Sequence, residues 1–401
     1  MIPVTPVAIA GIGCICSAGL ELKECMDYLY RGKRNPAPPV NFPTTISLPV
    51  FEVLQDFFPS HLFKEKNILR TCKLALTATL EAINDAGFDS QTLQTKRVGA
   101  CIGTNVGSSM YDETFSNNSK KKKSSSVITP VTRFLMSNPT STIASEFGLT
   151  GPLQTVVNAC SAGSDALGLA ASWIRSGICD MVIAGGTDEM YQITYTGFKS
   201  LLINDDSPCK PFDINRKGLN LGEGAAIFIL VSEDILEELK KDPRGHILGY
   251  GSATDAFHHT KTRPDGKGLK LAIKEALETS GTTASDIAFI NAHGTGTLDN
   301  DLVESHVFYE MFPKVPFFST KGYTGHALGA AGAIEAAFTI ACLENGRVPA
   351  SVGFATPDPE MPPAYPVQQN LSISGNRALS ETLAFGGINS VLILSAGERQ
   401  P

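Results

Sequence analysis

The sequence predicts an α/β fold in which one strand–helix unit occurs twice. Three observations support this. Apolar, β-branched runs alternate with amphipathic helical patterns along the chain. Glycine is abundant, 37 of 401 residues. The order of elements before the seam Asp242-Pro243-Arg244-Gly245 recurs after it.

Taken in order, residues 4–13 read as a first strand and 22–31 as an amphipathic helix. Residues 35–58, rich in proline and aromatics, read as irregular cover. Residues 68–86 read as a long helix, with Leu69, Leu74, Leu76 and Leu80 apolar and Gly87 as its cap. Residues 98–107 read as a strand ending in Gly103-Thr104-Asn105-Val106-Gly107, and the polar run 116–126, with Lys120 to Lys123, as a solvated surface loop. Residues 180–186 are a further strand. The loop Cys209-Lys210-Pro211-Phe212-Asp213 leads into Gly222-Glu223-Gly224-Ala225-Ala226 and a strand at 227–231, followed by a helix to Lys241.

Beyond the seam the pattern returns. Lys73-Leu74-Ala75-Leu76 with Leu80-Glu81 is echoed by Lys270-Leu271-Ala272-Ile273 with Leu277-Glu278. An acidic turn and a strand ending in glycine follow each, at 98–103 and 287–294. Strand, turn and helix then occur at 156–177 and 317–346, the helices ending in Ser176-Gly177 and Asn345-Gly346. The chain divides into an N-terminal half, 1–244, and a C-terminal half, 245–401, packed as a pseudo-dimer.

The first half holds Leu153-Gln154-Thr155-Val156-Val157-Asn158-Ala159-Cys160-Ser161-Ala162-Gly163. A β-branched run, a sharp turn at the cysteine and a helix through Leu167, Ala170, Ala171 and Ile174 are expected. At a helix N-terminus Cys160 faces free N–H groups and the positive dipole end, which favour the nucleophilic thiolate. A small buried hydrophobe is the other reading, because free cysteine is among the most buried residues. The second half holds Ile290-Asn291-Ala292-His293-Gly294-Thr295-Gly296-Thr297 and Thr320-Lys321-Gly322-Tyr323-Thr324-Gly325-His326, the latter running into Gly329-Ala330-Ala331-Gly332 and Glu335. A lone histidine is often a satisfied core residue. Here each is flanked by glycine, lies at a strand end and, under the duplication, sits near the face that holds Cys160.

Composition bounds the rest. With 42% hydrophobic and 18% charged residues the chain buries a large core. A net charge of -7, with no basic tail, argues against nucleic acid as a partner. The nine cysteines lack zinc-type spacing; Cys14 and Cys16 are too close for a metal knuckle and no His pair accompanies them. Unpaired thiols in odd number point to a reducing cytoplasm. The N-terminus has no basic n-region and no window suits a membrane span, so neither a signal peptide nor a membrane partner is expected.

Asn158-Ala159-Cys160-Ser161-Ala162-Gly163, Asn291-Ala292-His293-Gly294-Thr295-Gly296-Thr297 and Lys321-x-x-x-Gly325-His326-x-x-Gly329-Ala330-Ala331-Gly332-x-x-Glu335 together resemble the β-ketoacyl-acyl-carrier-protein synthases of the Cys-His-His type, of which synthase II is a common example. The resemblance extends to Lys210-Pro211-Phe212-Asp213, Gly222-Glu223-Gly224-Ala225 and Phe385-Gly386-Gly387-Ile388-Asn389. It implies the thiolase fold, a duplicated five-layer αβαβα arrangement. It implies that Cys160 takes an acyl chain as a thioester, that His293 and His326 bind malonyl thioester and promote its decarboxylation, and that Lys321 and Glu335 are a supporting ion pair. The N–H groups of Cys160 and Phe385 would form the oxyanion hole, with Phe385 gating malonyl entry. Thr295 and Thr297 match positions that touch the pantetheine arm, and Val106 the gate of the acyl pocket. Lys64, Lys66, Arg70 and Lys73 match the region that meets the acidic acyl carrier protein, with simple helix solvation as the alternative. No metal or organic cofactor is implied; phosphopantetheine arrives on the carrier.

Three details depart from fatty-acid synthase II. Gly296 stands where serine is usual, Leu298-Asp299-Asn300-Asp301 follows Thr297, and Thr382-Leu383-Ala384 precedes Phe385 in place of the usual Phe-Gly pair. They look more like ketosynthase subunits of type II polyketide or polyene systems, which raises a heterodimer with a chain-length-factor-like subunit beside a homodimer. A non-catalytic chain-length-factor-like subunit would lack the cysteine. A degradative thiolase would need a second reactive cysteine near the C-terminus, where only Cys342 follows Cys209, inside a helical pattern.

Overall fold

The computed structural model describes residues 3–63, 68–105, 107 and 138–397. Ten strands among them form one continuous sheet. The first five are β1 (Val7–Cys16), β2 (Val98–Gly103), β3 (Leu153–Val156), β4 (Met181–Asp188) and β5 (Gly224–Val231), lying in the order β3-β2-β4-β5-β1. β2 is parallel to β3 and β4, and β5 is antiparallel to β4 and β1.

Then come β6 (Gly245–Thr254), β7 (Phe289–Asn291) and β8 (Phe317–Phe318). The short β9 (Arg347–Val348) and β10 (Leu371–Ser372) make a separate two-stranded sheet, and β11 (Arg377–Ala384) and β12 (Ile388–Ala396) close the chain. Read from its edge, this second set runs β8-β7-β11-β12-β6 and repeats the same pattern of parallel and antiparallel pairs. The echo in the sequence is thus a duplication of topology. β1 and β6 join the copies, Val7 pairing with Ile247, Ala8 with His246 and Ile9 with Gly245.

Strand alternation sorts side chains into layers. From the first copy, Ala8, Ile102, Ile183, Ile227 and Ile229 bury against the helix Arg70–Ala86 on one face. Their neighbours Ile12, Cys14, Cys101, Val182, Ala184 and Phe228 face the opposite way, onto the helices Ala162–Arg175 and Ala331–Asn345. In the second copy Ile290, Leu379, Val391 and Ile393 pack on the outer helix Lys267–Ser280, while Phe289, Ala378, Leu392 and Leu394 join the central layer. The result is the expected αβαβα arrangement.

Close approach of each outer helix depends on paired glycines. A Cβ on Gly11 or Gly13 would fall 2.2 and 2.0 Å from the carbonyls of Ala82 and Ala78; on Gly249 or Gly251 it would fall 2.4 and 2.1 Å from those of Ala276 and Ala272. Both helices end on a left-handed glycine, Gly87 and Gly281, each at φ 62°. Aligned on these contacts, Ala78 matches Ala272 and Ala82 matches Ala276. The sequence echo that pairs Lys73 with Lys270 is therefore about one helical turn out of register. An amphipathic pattern repeats nearly every turn, so apolar spacing alone does not distinguish the two alignments.

Element ends differ modestly from expectation. β1 starts after Pro6, which has no N–H to donate, and continues to Cys16 because its pairing with β5 runs from Ala8 to Cys16. β2 ends at Gly103 rather than at 107.

Candidate active site

Cys160 lies four residues past β3, at a sharp elbow. Ala159 adopts a left-handed φ of 49°, rare for a residue with a side chain, and the helix Ala162–Arg175 begins just after. Small residues let this helix meet its counterpart: a Cβ on Gly163 would sit 2.8 Å from the Gly329 carbonyl. That contact brings the His326 loop onto the elbow.

The two histidines arrive from the second copy. His293 follows β7, and its backbone N–H donates to Glu381 Oε1 at 2.7 Å. The backbone of His326 is held by the segment before β5: its N–H donates to Asn220 O at 2.8 Å and its carbonyl accepts from Gly222 N–H at 3.0 Å. His326 Nε2 lies 3.1 Å from Cys160 Sγ. The imidazole rings meet edge to face, centroids 5.2 Å apart at 89°. All three side chains are buried.

Lys321 and Glu335 form a buried ion pair beside them. Lys321 Nζ also lies 3.1 Å from His293 Nδ1 and 2.6 Å from His293 O. Burial raises the Glu335 carboxyl to about 7, against the pull of Lys321. Burial, reinforced by the Lys321 charge, holds both histidines well below their ordinary range, so both rings are neutral at pH 7.

Cys160 departs from the thiolate expected at a helix N-terminus. Burial raises its thiol to about 11, outweighing the Lys321 charge and the N–H groups of Phe385 and Cys160, which lower it. Desolvation wins because the sulfur is enclosed, and the resting group is a thiol. Those two N–H groups act on the sulfur from close by, in the region where the oxygen of a thioester on Cys160 would lie.

A cavity of about 330 Å³ opens onto the cysteine. Its inner wall is Cys160, His293, His326 and Phe385, whose ring stacks on Phe198 at 5.6 Å. Thr295 and Thr297 line it with hydroxyls 2.9 Å apart. Lys217, Lys261, Leu202 and Leu298 line it too, and the two leucines are 82% and 59% exposed, which marks its mouth. A larger cavity, about 1110 Å³, lies between the helices Leu22–Tyr30 and Arg70–Ala86 and shares none of these residues.

The matches to known proteins follow the chain's two copies. Residues 4–234 match the family model "Beta-ketoacyl synthase, N-terminal domain" and residues 244–355 match "Beta-ketoacyl synthase, C-terminal domain". The chain belongs to the β-ketoacyl synthase family. It is 32% identical over 407 residues to 3-oxoacyl-[acyl-carrier-protein] synthase 2 of Synechocystis sp., covering 96% of this chain and 97% of the relative. Among solved structures it resembles the ishigamide ketosynthase/chain length factor, with TM-score 0.90, 27% identity and 98% and 99% coverage. It also resembles a type II polyketide synthase acyl-carrier protein in complex with its ketosynthase bound to the hexaketide, with TM-score 0.87, 25% identity and 98% and 99% coverage. Family membership makes this synthase a condensing enzyme of the acyltransferase type.

The carrier-facing residues expected from sequence fare differently. Val106, Lys64 and Lys66 lie outside the described residues. Lys73 Nζ sits 5.6 Å over the Phe58 ring. Arg70 is not a free surface charge: its guanidinium donates to both oxygens of the fully buried Glu223, at 2.6 and 2.9 Å, and to Val53 O. A guanidinium engaged by a buried carboxylate has a structural role, which sets it apart from a free steering charge. Lys217 and Lys261 line the cavity mouth, where only the fold brings them together.

Three buried acids of the synthase were missed. Besides Glu381, Glu304 accepts from Gly294 N–H at 2.9 Å, and Asp301 from Gly296 N–H at 3.1 Å and Phe212 N–H at 2.7 Å. They hold the glycine-rich loop around His293 from below. Burial, then the neighbouring Glu381 charge, raises the Glu304 carboxyl well above its usual range. A signal was present: Glu381 is a charge inside an apolar strand pattern, and Asp301 and Glu304 share one helix face.

Proposed function

We propose that the protein catalyses decarboxylative condensation of a malonyl thioester on acyl carrier protein with an acyl chain held on Cys160. The observation that carries this is the meeting of the Cys160 thiol and two neutral imidazoles on the wall of one cavity.

In the first half-reaction His326 Nε2 takes the thiol proton, and the thiolate attacks the carbonyl of the incoming acyl thioester. The N–H groups of Cys160 and Phe385 hold the oxyanion. The intermediate collapses to acyl-Cys160, and the departing carrier sulfur takes the proton from His326. In the second, the malonyl thioester oxygen lies between the Nε2 edges of His293 and His326. The bond to the malonyl carboxylate breaks, CO2 leaves, and its electron pair becomes an enolate stabilised by the Nε2–H of His293 and by that of His326, whose neutral ring first moves its proton from Nδ1 to Nε2. The enolate carbon attacks the acyl carbonyl and Cys160 is expelled as a thiolate that takes a proton from solvent, leaving a β-ketoacyl thioester on the carrier. No resident cofactor enters these steps, and the pantetheine arm belongs to the substrate.

The carrier docks at the cavity mouth, where Lys217 and Lys261 suit an acidic partner and Leu202 and Leu298 supply apolar contact. The solved relative in complex with its acyl-carrier protein supports that partner class. A second subunit pairs along β3, an edge strand whose Leu153, with Val157 just after its end, is about half exposed or more. That subunit is a second copy or a chain-length-factor-like protein, the latter favoured by the ishigamide ketosynthase/chain length factor relative. Leu383 and Ala384, which replace the usual Phe-Gly pair, line the cavity and favour a dedicated polyketide or polyene substrate over primary fatty acid elongation. Nine free cysteines, and no described helix long and apolar enough to cross a membrane, suit a cytoplasmic setting.

The test is to supply acyl-carrier and malonyl-carrier proteins over a series of chain lengths and to detect β-ketoacyl carrier by mass spectrometry. Product formation with at least one chain length supports the reading. Failure across the series, with Cys160 intact, refutes it.

A further inference from the structure

The cysteine elbow is fastened by a carboxylate that the condensing chemistry does not use. Asp165, in the first turn of the helix Ala162–Arg175, is 8% exposed. Its Oδ2 accepts from Asn158 Nδ2 at 2.5 Å and from Ser161 Oγ at 2.7 Å; its Oδ1 accepts from Tyr250 OH at 2.8 Å. Asn158 and Ser161 flank Ala159 and Cys160. Ser161 Oγ also lies 2.9 Å from Asn158 O, and Asn158 and Cys160 form an isolated β-bridge. The left-handed turn at Ala159 is thus spanned on both sides by groups bound to one carboxylate.

The third donor comes from the other copy of the fold. Tyr250 is on β6, and its ring lies on the nucleophile helix at Gly168, where a Cβ would be 2.5 Å from the ring. A first-turn acid often serves only the helix dipole, facing solvent. Asp165 is enclosed and satisfied by three side-chain donors, one of which the fold had to bring from a distant strand.

We propose that Asp165, oriented by Tyr250, is the positioning residue of the nucleophile. It holds the strained elbow so that the Cys160 N–H points into the oxyanion hole and Sγ meets His326. It touches neither substrate nor reacting atoms; it acts through Asn158 and Ser161. Tyr250 makes that geometry depend on how the two copies pack, because its hydroxyl crosses from the sheet of one to the central helix of the other. The acyl-transfer role attached to Cys160 rests on the reading above; the placement of the sulfur does not.

The test compares D165N, Y250F and the double variant in the full-length protein. D165N keeps the shape but turns one acceptor into a donor facing donors. Two readouts are taken beside the melting temperature: the rate of Cys160 alkylation by iodoacetamide, which needs no condensing activity, and kcat and KM for acyl-carrier protein. The expected result is alkylation slowed about tenfold and kcat lowered about 100-fold in D165N, with KM unchanged. Y250F, which keeps two of three donors, loses about fivefold in each rate. In the double variant Y250F adds little to D165N, because both act through one carboxylate. Slow D165N alkylation supports the clamp even if the wild-type protein condenses no substrate, in which case only the condensing reading fails. Wild-type alkylation in both single variants, additive losses, or losses that track a fall in melting temperature would overturn it.

Discussion

Lys321 Nζ lies 3.1 Å from His293 Nδ1 and 2.6 Å from the carbonyl of the same residue. An ammonium group only donates, so Nδ1 is an acceptor and the proton of the neutral ring sits on Nε2, the edge that faces the cavity. The lysine therefore selects the tautomer that stabilises an enolate. Its own charge is balanced by Glu335.

Replacing Lys321 by methionine keeps the stem and removes that selection. Decarboxylation of malonyl carrier, followed as CO2 release, is expected to fall about 100-fold, the scale of losing one aligned oxyanion donor. Acylation of Cys160, read by intact mass, is expected to fall far less. Equal losses in both steps would show that the lysine serves something other than His293.

The converse separation applies to the nucleophile. Cys160→Ala removes the acyl acceptor but leaves both imidazoles and the Lys321–Glu335 pair in place. The variant is expected to form no acyl-enzyme and yet to release CO2 from malonyl carrier. A variant that loses both reactions would place the sulfur in the decarboxylation step.

Titration of the cysteine tests the balance between burial and the helix terminus. The thiol stands at about 11, so alkylation by iodoacetamide is expected to climb with pH to a midpoint well above that of free cysteine, about 8.5. Lys321→Met, by removing a charge that lowers it, moves the midpoint higher. A midpoint below 8 would restore the thiolate expected from sequence.

The histidines set an acid limit. Both are held well below 6.5 in the fold, with burial first among the causes. Below that pH the unfolded chain takes up protons that the folded state does not, so stability falls as pH falls. Each ring contributes about 1.4 kcal/mol of loss per pH unit below 6.5. Acids such as Glu335, raised to about 7, act in the opposite sense. The contribution is therefore read as a difference: melting temperature between pH 7 and 5.5 should decline less in a His293→Ala/His326→Ala double variant than in the wild type.

Much of the site was legible in the chain itself. Strand, turn and helix about Cys160 could be read from β-branched residues giving way to glycine and small residues. The flanking glycines marked both histidines. What was not legible is what folding assembles. Glu381 reaches the His293 loop from β11, next to β7 in space and 88 residues away in the chain. Asn220 fixes His326 through its carbonyl, which no side-chain pattern reports. Arg70 looked like a steering charge because Glu223, its partner, is 153 residues away. Helix register slipped because one turn of an amphipathic helix resembles the next.

The Arg70–Glu223 ion pair has its own test. Arg70→Met leaves Glu223 buried without its cation and is expected to destabilise the fold by about 3 kcal/mol, while carrier KM is unchanged in the folded protein. Lys217→Glu with Lys261→Glu should raise carrier KM at low salt and leave the melting temperature alone, the effect fading as salt screens it. An Arg70→Met protein of normal stability and raised carrier KM would return the residue to the docking surface.

The most direct measurement of the central claim is a single-turnover experiment followed by intact-protein and peptide mass spectrometry. The wild-type protein is mixed first with acyl-carrier protein, then with malonyl-carrier protein. The account predicts an acyl adduct on Cys160 after the first addition, and its disappearance after the second as CO2 and β-ketoacyl carrier appear in equal amounts. An adduct on another residue, or an acyl-Cys160 that persists while malonyl carrier is consumed, would contradict it.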